Sequence, residues 1–458
     1  MRQRAFICLI LAIATPGCKS WGKFWLTELS YATSPLLLTQ SVAMTPVSPT
    51  MPGSARSCSA SPNLPAGLAL GDDCTISGTP TRGQGTLTYR ITADLGSDTI
   101  SGELRIRVLF QPRFVYVANS GAGNIVSIFT INSSTGQLTA AGTATSTSGP
   151  KFVLSDRNSA YLYVANHGSA SVGVFSINPS SGALTQISGS PFAASANPYS
   201  LALDPEGKFL FVGHEGVQHV RVYSVDQTTG ALANISGSPF LVGVGSTTPV
   251  SVNLDPTGKF LYVGDSQSVT TNARAFSVNQ SSGAIIEIPG SPFGTINDAI
   301  SVCVHPSGKF VYYAQYFAPT GAVAFTRDLT TGALTLMAGS PFSAGLAPGY
   351  VTTDVNGQFA YVANSGDAAG TAGLSAYTVN STTGALVQVP GSPYSTGGNP
   401  IGAAVDETVR FVYTANGGGN NVSGYAISSS TGQLTATPGS PYAAGTSPFS
   451  VTIAGSNP

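Results

Sequence analysis

The densest group of ionisable side chains in this chain is a short polar segment that contains His214, Glu215 and His219. A carboxylate beside an imidazole can raise the pKa of the histidine or hold its ring in one tautomer. A histidine that acts as a general base near neutral pH needs such a partner. We therefore take Glu215, with His214 and with Asp265 further along the chain, as candidate catalytic residues. The alternative is that they are solvated loop residues, because no fixed catalytic spacing is visible.

Further ionisable residues occur in equivalent polar segments on either side of this one. We predict that four of them bind a ligand at the same site: His167, His219, Arg274 and Asp298. Asp367 lies in another such segment. The elements that would bring these residues together follow from a repeat in the sequence.

The repeat is a tetrapeptide of Thr or Ser, Gly, any residue and Leu or Ile. It occurs seven times, at Gly136, Gly182, Gly230, Gly283, Gly332, Gly384 and Gly432, with gaps of 46, 48, 53, 49, 52 and 48 residues. A period near 50 without helical spacing is typical of a β-propeller in which each repeat forms one four-stranded blade. The sequence therefore predicts an all-β, seven-bladed propeller over residues 111–458.

One repeat shows where the chemistry would lie. Apolar, β-branched and aromatic runs alternate with turns such as Asp204-Pro-Glu-Gly-Lys208, which predicts short strands. In a propeller, the loops between second and third strands and the loops between blades gather on one face, around the channel mouth. We expect the candidate residues on that face.

The two ends of the repeat array predict how the ring closes. The first repeat starts with its second strand, near Phe114, and an unpaired first strand stands at residues 448–453. Pairing the two would complete blade one and remove both open strand edges. We therefore predict a clasp made by the C-terminal strand.

The N-terminus has the pattern of an export signal. Arg2 and Arg4 precede an apolar run at residues 5–14, followed by Gly17-Cys18. The run is too short to span a bilayer but suits a signal peptide of residues 1–17. Gly before Cys resembles a bacterial lipobox, so we predict lipidation at Cys18, with an ordinary cleaved signal as the alternative. Residues 18–30 read as a linker.

A separate module follows at residues 31–110. Its Leu64-Pro-Ala-Gly-Leu68 and Ile76-Ser-Gly-Thr-Pro80 resemble motifs of the bacterial immunoglobulin-like domain family. This resemblance implies a small antiparallel β-sandwich, commonly a spacer in exported proteins.

Cysteine spacing agrees with export. Cys58 and Cys74 flank a short segment that a disulfide could close in an oxidising compartment, and two free buried thiols are the alternative. Cys303 lies in a predicted strand as a core residue. The spacings and the scarcity of histidine predict no metal site and no cofactor.

Composition limits the partners. Only 9% of residues are charged and the net charge is −1, which excludes the basic footprint that nucleic acid binding needs. The surface should be polar but weakly charged. Such a surface suits the outside of a cell, where the partners are glycans or other proteins. We also predict a monomer at the cell envelope or outer surface, which meets the membrane only through a lipid anchor.

The blade unit resembles a known enzyme family. Ser200-Leu-Ala-Leu-Asp-Pro-Glu-Gly-Lys-Phe-Leu-Phe-Val212 is similar to blades of the seven-bladed lactonase family, which includes 6-phosphogluconolactonases, and Phe114-Val-Tyr-Val-Ala-Asn-Ser120 to YVTN-type surface propellers. The family's His-Ala-His-Ser reads Ala196-Asn-Pro-Tyr-Ser200 here, and its Gly-Pro-Arg-His reads Thr248-Pro-Val-Ser251. The resemblance therefore implies the fold, whereas the family's Arg and His motifs are absent.

Two functions remain after these observations. The leading hypothesis is an exported, lipid-anchored binding or scaffold module at the cell surface, and the alternative is a divergent lactone hydrolase. A convergent cluster of Arg, His and carboxylate at the channel mouth would favour the enzyme. Solvated residues scattered around the rim would favour the binding module.

Overall fold

A computed structural model describes residues 28–243, 248–266, 271–317, 320–366 and 373–455. The N-terminal module contains six strands: β1 (Leu36–Thr39), β2 (Ser57–Ser61), β3 (Leu68–Leu70), β4 (Ile76–Gly78), β5 (Gln84–Asp94) and β6 (Thr99–Leu109). They form a sheet in the order β1-β6-β5-β2 and a separate β3-β4 pair. Every second residue of β5 and β6 points into the core of this module, as Tyr89, Ile91 and Ile106 do. Leu29 packs in the same core.

Cys58 and Cys74 form a disulfide in this module, with their Cα atoms 5.3 Å apart. The bond joins β2 to the loop before β4, where Cys74 is fully buried. It therefore ties the large sheet to the small one. Cys303 is buried and free.

The rest of the chain is a ring of seven sheets. Blade one holds β7 (Pro112–Asn119), β8 (Ile125–Ile131) and β9 (Leu138–Thr145). Blade two holds β10 (Pro150–Ser155), β11 (Tyr161–Asn166), a 3-10 helix (His167–Ser169), β12 (Ser171–Ile177), β13 (Leu184–Gln186) and β14 (Phe192–Ala193). Blade three holds β15 (Pro198–Leu203), β16 (Phe209–His214), β17 (His219–Val225), β18 (Leu232–Asn234) and β19 (Phe240–Leu241). Blade four holds β20 (Pro249–Leu254), β21 (Phe260–Asp265), β22 (Thr271–Val278), β23 (Ile285–Glu287) and β24 (Phe293–Ile296).

The remaining blades repeat this plan. Blade five holds β25 (Ala299–Val304), β26 (Phe310–Gln315), β27 (Gly321–Arg327), β28 (Leu334–Leu336) and β29 (Phe342–Ser343). Blade six holds β30 (Pro348–Thr353), β31 (Phe359–Asn364), β32 (Gly373–Val379), β33 (Leu386–Gln388) and β34 (Tyr394–Ser395). Blade seven holds β35 (Pro400–Val405), β36 (Phe411–Asn416), β37 (Asn421–Ile427), β38 (Leu434–Ala436) and β39 (Tyr442–Ala443), and the final strand is β40 (Pro448–Gly455).

In blades two to seven, the first four strands run antiparallel in chain order from the channel outward, and a short fifth strand pairs with the third. The fifth strand begins with the Phe or Tyr of each Gly-Ser-Pro-Phe/Tyr segment, as Phe192–Ala193 does in blade two. The sequence does not predict this strand, because two to four residues are too few to show a period. The predicted propeller is otherwise confirmed.

The predicted clasp is also confirmed. β40 pairs antiparallel with β7, from Pro448 opposite Asn119 to Gly455 opposite Pro112, and completes the sheet order β40-β7-β8-β9. Blade one is therefore built from both ends of the propeller sequence, and no edge of the ring is left unpaired there.

The repeated glycine explains why the tetrapeptide recurs. Gly182 has a φ of +73° and lies against the Phe114 ring of the preceding blade, 2.4 Å from where a Cβ would stand. A side chain would clash with that ring, and the positive φ itself favours glycine. Tyr116 Oη then donates a hydrogen bond to the Gly182 carbonyl, 2.9 Å away. The tetrapeptide is therefore a joint between adjacent blades.

A buried ion pair joins blade five to blade four, and the described residues contain no other ion pair that is fully buried. The last residue of β27 is Arg327, and the third strands of the other blades end in Ile or Val. Its guanidinium contacts Asp255 Oδ2 of blade four at 3.0 Å and donates to Tyr262 Oη at 2.7 Å. Both charged side chains are essentially inaccessible to solvent.

The N-terminal module contacts the propeller face opposite the predicted channel mouth. Arg107 of β6 forms an ion pair of 2.7 Å with Glu407, which lies in the turn between β35 and β36. The other carboxylate oxygen of Glu407 accepts the Phe110 amide at 3.1 Å. We call the propeller face that carries Glu407 the lower face, and the face with the channel mouth the upper face. Among the described residues, no helix is long and apolar enough to cross a membrane.

Candidate functional site

Glu215 lies at the upper face, in the loop that follows β16 of blade three. Two hydrogen bonds to Asn197 hold its backbone: the Glu215 amide donates to the Asn197 carbonyl at 2.9 Å, and Asn197 Nδ2 donates to the Glu215 carbonyl at 3.2 Å. Asn197 precedes β15 in the same blade, so both segments that meet at the mouth fix the loop. The Glu215 side chain is thus directed towards blade two.

The Glu215 carboxylate binds two cationic or ionisable side chains of blade two. Its Oε2 lies 2.7 Å from His167 Nε2 and 3.2 Å from Lys151 Nζ. About a third of the Glu215 side chain is exposed (37%), against 25% for His167 and 20% for Lys151. We call these three residues the mouth cluster. Their carboxylate, imidazole and ammonium converge where solvent can still enter.

Lys151 is held by aromatic rings as well as by Glu215. Its ammonium lies 4.5 Å from the centre of the Tyr199 ring and 5.1 Å from that of Phe449. The two rings meet edge to face, with centres 5.4 Å apart. Cation–π contacts of this kind favour the charged lysine and fix its position. The ammonium is therefore a preorganised positive charge at the mouth.

The electrostatics of the mouth cluster keep the imidazole neutral and the carboxylate charged. Burial, and then the Lys151 charge, lower the pKa of His167, and the hydrogen bond to Glu215 opposes them without reversing the shift. Burial acts to raise the pKa of Glu215, but Lys151 and His167 together outweigh it and hold that pKa below its usual value. At pH 7 the cluster is thus a neutral histidine between a carboxylate and an ammonium.

The mouth below this cluster is narrow and apolar. The second residues of the innermost strands surround it, and five of the seven are Tyr199, Val250, Ile300, Ile401 and Phe449. Phe152 and Tyr350 reach into the channel at the next level and line both the small upper cavity and the larger ones beneath. Among the described residues, a ligand at the mouth would therefore meet apolar walls and one fixed cation, Lys151.

His214 and His219 do not join the mouth cluster, although they neighbour Glu215 in sequence. They belong to strands: His214 ends β16 and His219 begins β17. His214 is fully buried, and burial lowers its pKa to about 3. The two rings pack against each other with centres 5.2 Å apart. Strand alternation turns His214 into the blade and leaves Glu215 facing the mouth.

Asp265, Arg274 and Asp298 are also placed away from Glu215, and no contact described in the structure joins them to it. Asp265 ends β21, is nearly inaccessible and accepts the Thr248 amide at 2.6 Å. Arg274 lies within β22, not in a loop as predicted, and pairs with Glu287 at 2.8 Å. Asp298 precedes β25 with a φ of +59°. Of the predicted candidates, Glu215 and His167 therefore meet at the mouth, His214 and His219 pack together inside blade three, and Asp265, Arg274 and Asp298 lie apart from both pairs.

Cys18 and Asp367 lie outside the described residues. Within the described part of the chain, no three metal-binding side chains of His, Cys, Asp or Glu cluster.

Lys151 is the residue that the sequence analysis missed. It occupies the second position of an innermost strand, where the other six blades have Tyr199, Val250, Ile300, Gly349, Ile401 and Phe449. Alignment of the seven repeats would have shown it as the one charged residue in a set of uncharged ones. Its contact with Glu215 spans 64 residues, so no local motif links the two.

These features define a class of protein: a seven-bladed propeller with ionisable side chains gathered at the mouth of its channel. The profile of the family described as "Lactonase, 7-bladed beta-propeller" matches residues 81–197, 156–247 and 319–448, which together exceed half of the chain. The chain therefore belongs to the seven-bladed β-propeller lactonase family. Residues 29–109 match the family described as "Putative Ig domain", in agreement with the N-terminal sandwich.

Solved structures agree with this fold. A "putative 6-phosphogluconolactonase" from Bacteroides uniformis is similar with a TM-score of 0.65 and 16% identity, over 75% of this chain and 100% of the other. The periplasmic gluconolactonase of Pseudomonas aeruginosa is similar with a TM-score of 0.62 and 21% identity, over 76% of this chain and 99% of the other. No curated protein matches the sequence significantly. At these identities the structural likeness concerns the fold alone.

Proposed function

We propose that this protein is a lactone hydrolase that acts at the mouth cluster. The observation that carries the proposal is the convergence of Glu215, His167 and Lys151 within hydrogen-bonding distance on the upper face. A convergent cluster of this kind supports the enzyme over the binding module, for which rim residues would be scattered. The proposal also agrees with the family, although this chain uses different residues from the family's Arg and His motifs.

His167 would act as the general base. Glu215 accepts a hydrogen bond from Nε2, which leaves Nδ1 of the neutral ring as the proton acceptor. A water molecule next to Nδ1 could lose a proton to the ring as it attacks the lactone carbonyl carbon. The carboxylate would stabilise the imidazolium that forms, as in other pairs of a base and an orienting acid.

Lys151 would stabilise the negative charge that develops on the carbonyl oxygen. The Tyr199 and Phe449 rings hold its ammonium in place before the reaction, so little reorganisation is needed. When the tetrahedral intermediate collapses, the ring C–O bond breaks, and the imidazolium can return its proton to the departing alkoxide. The product is the open hydroxy acid.

The walls of the mouth indicate the kind of lactone. Val250, Ile300 and Ile401 offer no hydrogen bonds from their side chains, and Lys151 is the one cation contacting this cluster among the described residues. A phosphorylated substrate would need further positive charge. We therefore propose an uncharged lactone with an apolar or aromatic body.

We also propose that the protein is exported. The Cys58–Cys74 disulfide supports this location, because such bonds persist in oxidising compartments. Lipidation at Cys18 and attachment at the envelope stay predictions.

The test is hydrolysis of dihydrocoumarin, an aromatic lactone, and of glucono-δ-lactone by purified protein. We expect wild-type activity with a preference for dihydrocoumarin. Glu215→Gln and His167→Gln should each lower kcat/KM about a hundredfold, the scale for loss of a general base or its partner. Lys151→Met should lower kcat by a similar factor through loss of charge stabilisation.

The matched control is Glu287→Gln. Glu287 also pairs with a cation, Arg274, but on β23 at the outer part of blade four. Glu287→Gln should leave the hydrolysis of dihydrocoumarin and of glucono-δ-lactone unaltered. The proposal would be contradicted if the wild type hydrolysed the lactones no faster than buffer alone, or if Glu215→Gln were as active as the wild type. Either result would favour the binding module.

A further inference from the structure

A second cavity lies at the lower end of the propeller channel, beside the junction with the N-terminal module. Its volume is about 250 Å³. Phe110 and Pro112, at the junction of the two domains, form one wall, and the innermost strands of blades one, two, six and seven form the others. It is separate from the mouth cluster, because Phe152 and Tyr350 stand across the channel between them.

Arg157 supplies a positive charge to this cavity. It lies in the turn after β10, and its side chain lines the lower cavity and also a channel space of about 300 Å³ beside it, between the innermost strands of blades two to five. It forms none of the ion pairs found among the described residues, and no hydrogen bond of its guanidinium is described there either. The residue is exposed to solvent.

The charged groups around Arg157 are already engaged elsewhere. One carboxylate oxygen of Glu407 pairs with Arg107, and the other accepts a hydrogen bond from the Phe110 amide. Asp156 and Asp204 accept backbone amides of their own turns, such as that of Phe209 at 2.7 Å from Asp204. Glu407 and Asp204 attract Arg157 from a distance, and Arg107 repels it. None of the described residues accepts a hydrogen bond from the Arg157 guanidinium, so its N–H donors are open to solvent or to a ligand.

The remaining lining indicates the chemistry of an acceptor that would fit. Phe110, Leu154, Tyr350, Val405 and Ile453 give part of the wall an apolar surface, and polar atoms, including the hydroxyl groups of Thr352 and Thr452, line the rest. A fork of parallel N–H groups matches a carboxylate in bidentate geometry. One guanidinium balances a single negative charge, and the apolar part of the wall can contact a hydrocarbon body, which an inorganic ion lacks.

We propose that this lower cavity binds a small organic monocarboxylate, with its carboxylate on Arg157 and its apolar body against Phe110 and Tyr350. The cavity volume limits the ligand to a short chain or a single ring. Since its walls come from both domains, the bound ligand would join the N-terminal module to the propeller. This site does not depend on the proposed lactone hydrolysis, which uses the other face.

Isothermal titration calorimetry with sodium benzoate and sodium hexanoate tests the proposal, with sodium phosphate at matched ionic strength for comparison. We expect saturable binding of a carboxylate to the full chain and no comparable binding of phosphate. Arg157→Gln should weaken the binding of the carboxylate roughly tenfold to a hundredfold, the scale for loss of a hydrogen bond to a charged group. Arg221→Gln, which changes an arginine bonded to Asn234 in blade three, is the control and should bind as the wild type does.

Two further variants make the result decisive. Arg157→Lys keeps the charge but loses the planar fork, so it should fold as the wild type does and still bind more weakly. Lys151→Met removes the cation of the upper face and should leave binding unchanged. The proposal is wrong if the wild type shows no saturable binding, if both Arg157 variants bind normally, if phosphate binds equally well, or if Lys151→Met abolishes binding.

Discussion

At the scale of single residues, the end of each second strand holds a buried polar side chain. The seven residues are Asn119, Asn166, His214, Asp265, Gln315, Asn364 and Asn416. Asn119 Nδ2 donates to two carbonyls of its own blade and to Ser127 Oγ at 3.0 Å, and Asn364 does the same with Ser375 at 2.9 Å. Blade three has His214 here and Arg221 in place of the serine, so a titratable ring replaces an amide.

This replacement should make the fold sensitive to acid. Burial first, and then the charges of His219 and Arg221, lower the pKa of His214 to about 3 from its usual 6.5. Between these values the unfolded chain binds a proton that the folded chain does not, so stability falls as pH falls. We expect His214→Asn to reduce the loss of Tm between pH 6.5 and pH 4, measured by circular dichroism.

The reciprocal variant provides the control for this prediction. Asn364→His places the same ring at the same position of blade six and should make the decline of Tm with acid steeper. If Tm fell with pH at the same rate in the wild type and both variants, acid sensitivity could not be assigned to this position.

The residue scale also shows why the sequence predicted only part of the site. Glu215 and His167 could be placed on one face because both follow second strands of the repeat. The sequence could not show that His214 turns inward, since a shift of one residue reverses the direction of a strand side chain. It also could not show that Lys151 meets Glu215, because that contact depends on how blades two and three pack.

At the scale of elements, the repeat made the blades predictable. Gly182 must lie over Phe114, and the same pairing recurs as Gly230 over Tyr161 and Gly332 over Phe260. A steric requirement that recurs in every blade appears in the sequence as a fixed period. Single departures, such as Arg327 in blade five, leave no periodic trace, and their partners must be seen in the structure.

Arg327 should make blades four and five unusually dependent on one another. Arg327→Ala would leave Asp255 buried without its cation and would remove the bond to Tyr262. Loss of one partner of a buried pair lowers the free energy of unfolding by about 3–5 kcal/mol. Urea denaturation followed by tyrosine fluorescence would measure this loss.

Lys208→Ala is the matched control for Arg327. It removes the pair between Lys208 and Glu206, both of which are well exposed, so the denaturation midpoint should stay where it is in the wild type. An Arg327→Ala midpoint equal to that of Lys208→Ala would show that the buried pair contributes nothing.

At the scale of the whole molecule, the ring depends on its last strand. A chain that ends at residue 447 lacks β40 and exposes the inner edge of β7, including Val115 and Val117. We expect a markedly lower Tm and association into oligomers, because an open strand edge pairs with other chains. Differential scanning fluorimetry and size-exclusion chromatography would measure the two effects.

A chain that ends at residue 455 keeps β40 and serves as the control for this truncation. It should have the Tm and the elution volume of the full chain. If the chain that ends at residue 447 also kept that Tm and elution volume, the clasp would not be what closes the ring.

The overall plan of two domains could be predicted from motifs, but their contact could not. The ion pair between Arg107 and Glu407 joins residues 300 positions apart, and each looks like an ordinary surface charge in the sequence. Glu407 also lines the lower cavity, and nothing in the repeat pattern indicates that cavity.

The clasp also determines how the molecule would respond to a pulling force. β7 begins at Pro112 and β40 ends at Gly455, and the two residues are paired, so the chain enters and leaves blade one at the same end of this strand pair. Tension between the two ends would load one hydrogen-bonded pair at a time, as in a zipper, instead of shearing all of them together. The strand pair that closes the ring is thus also the place where mechanical load would first open it.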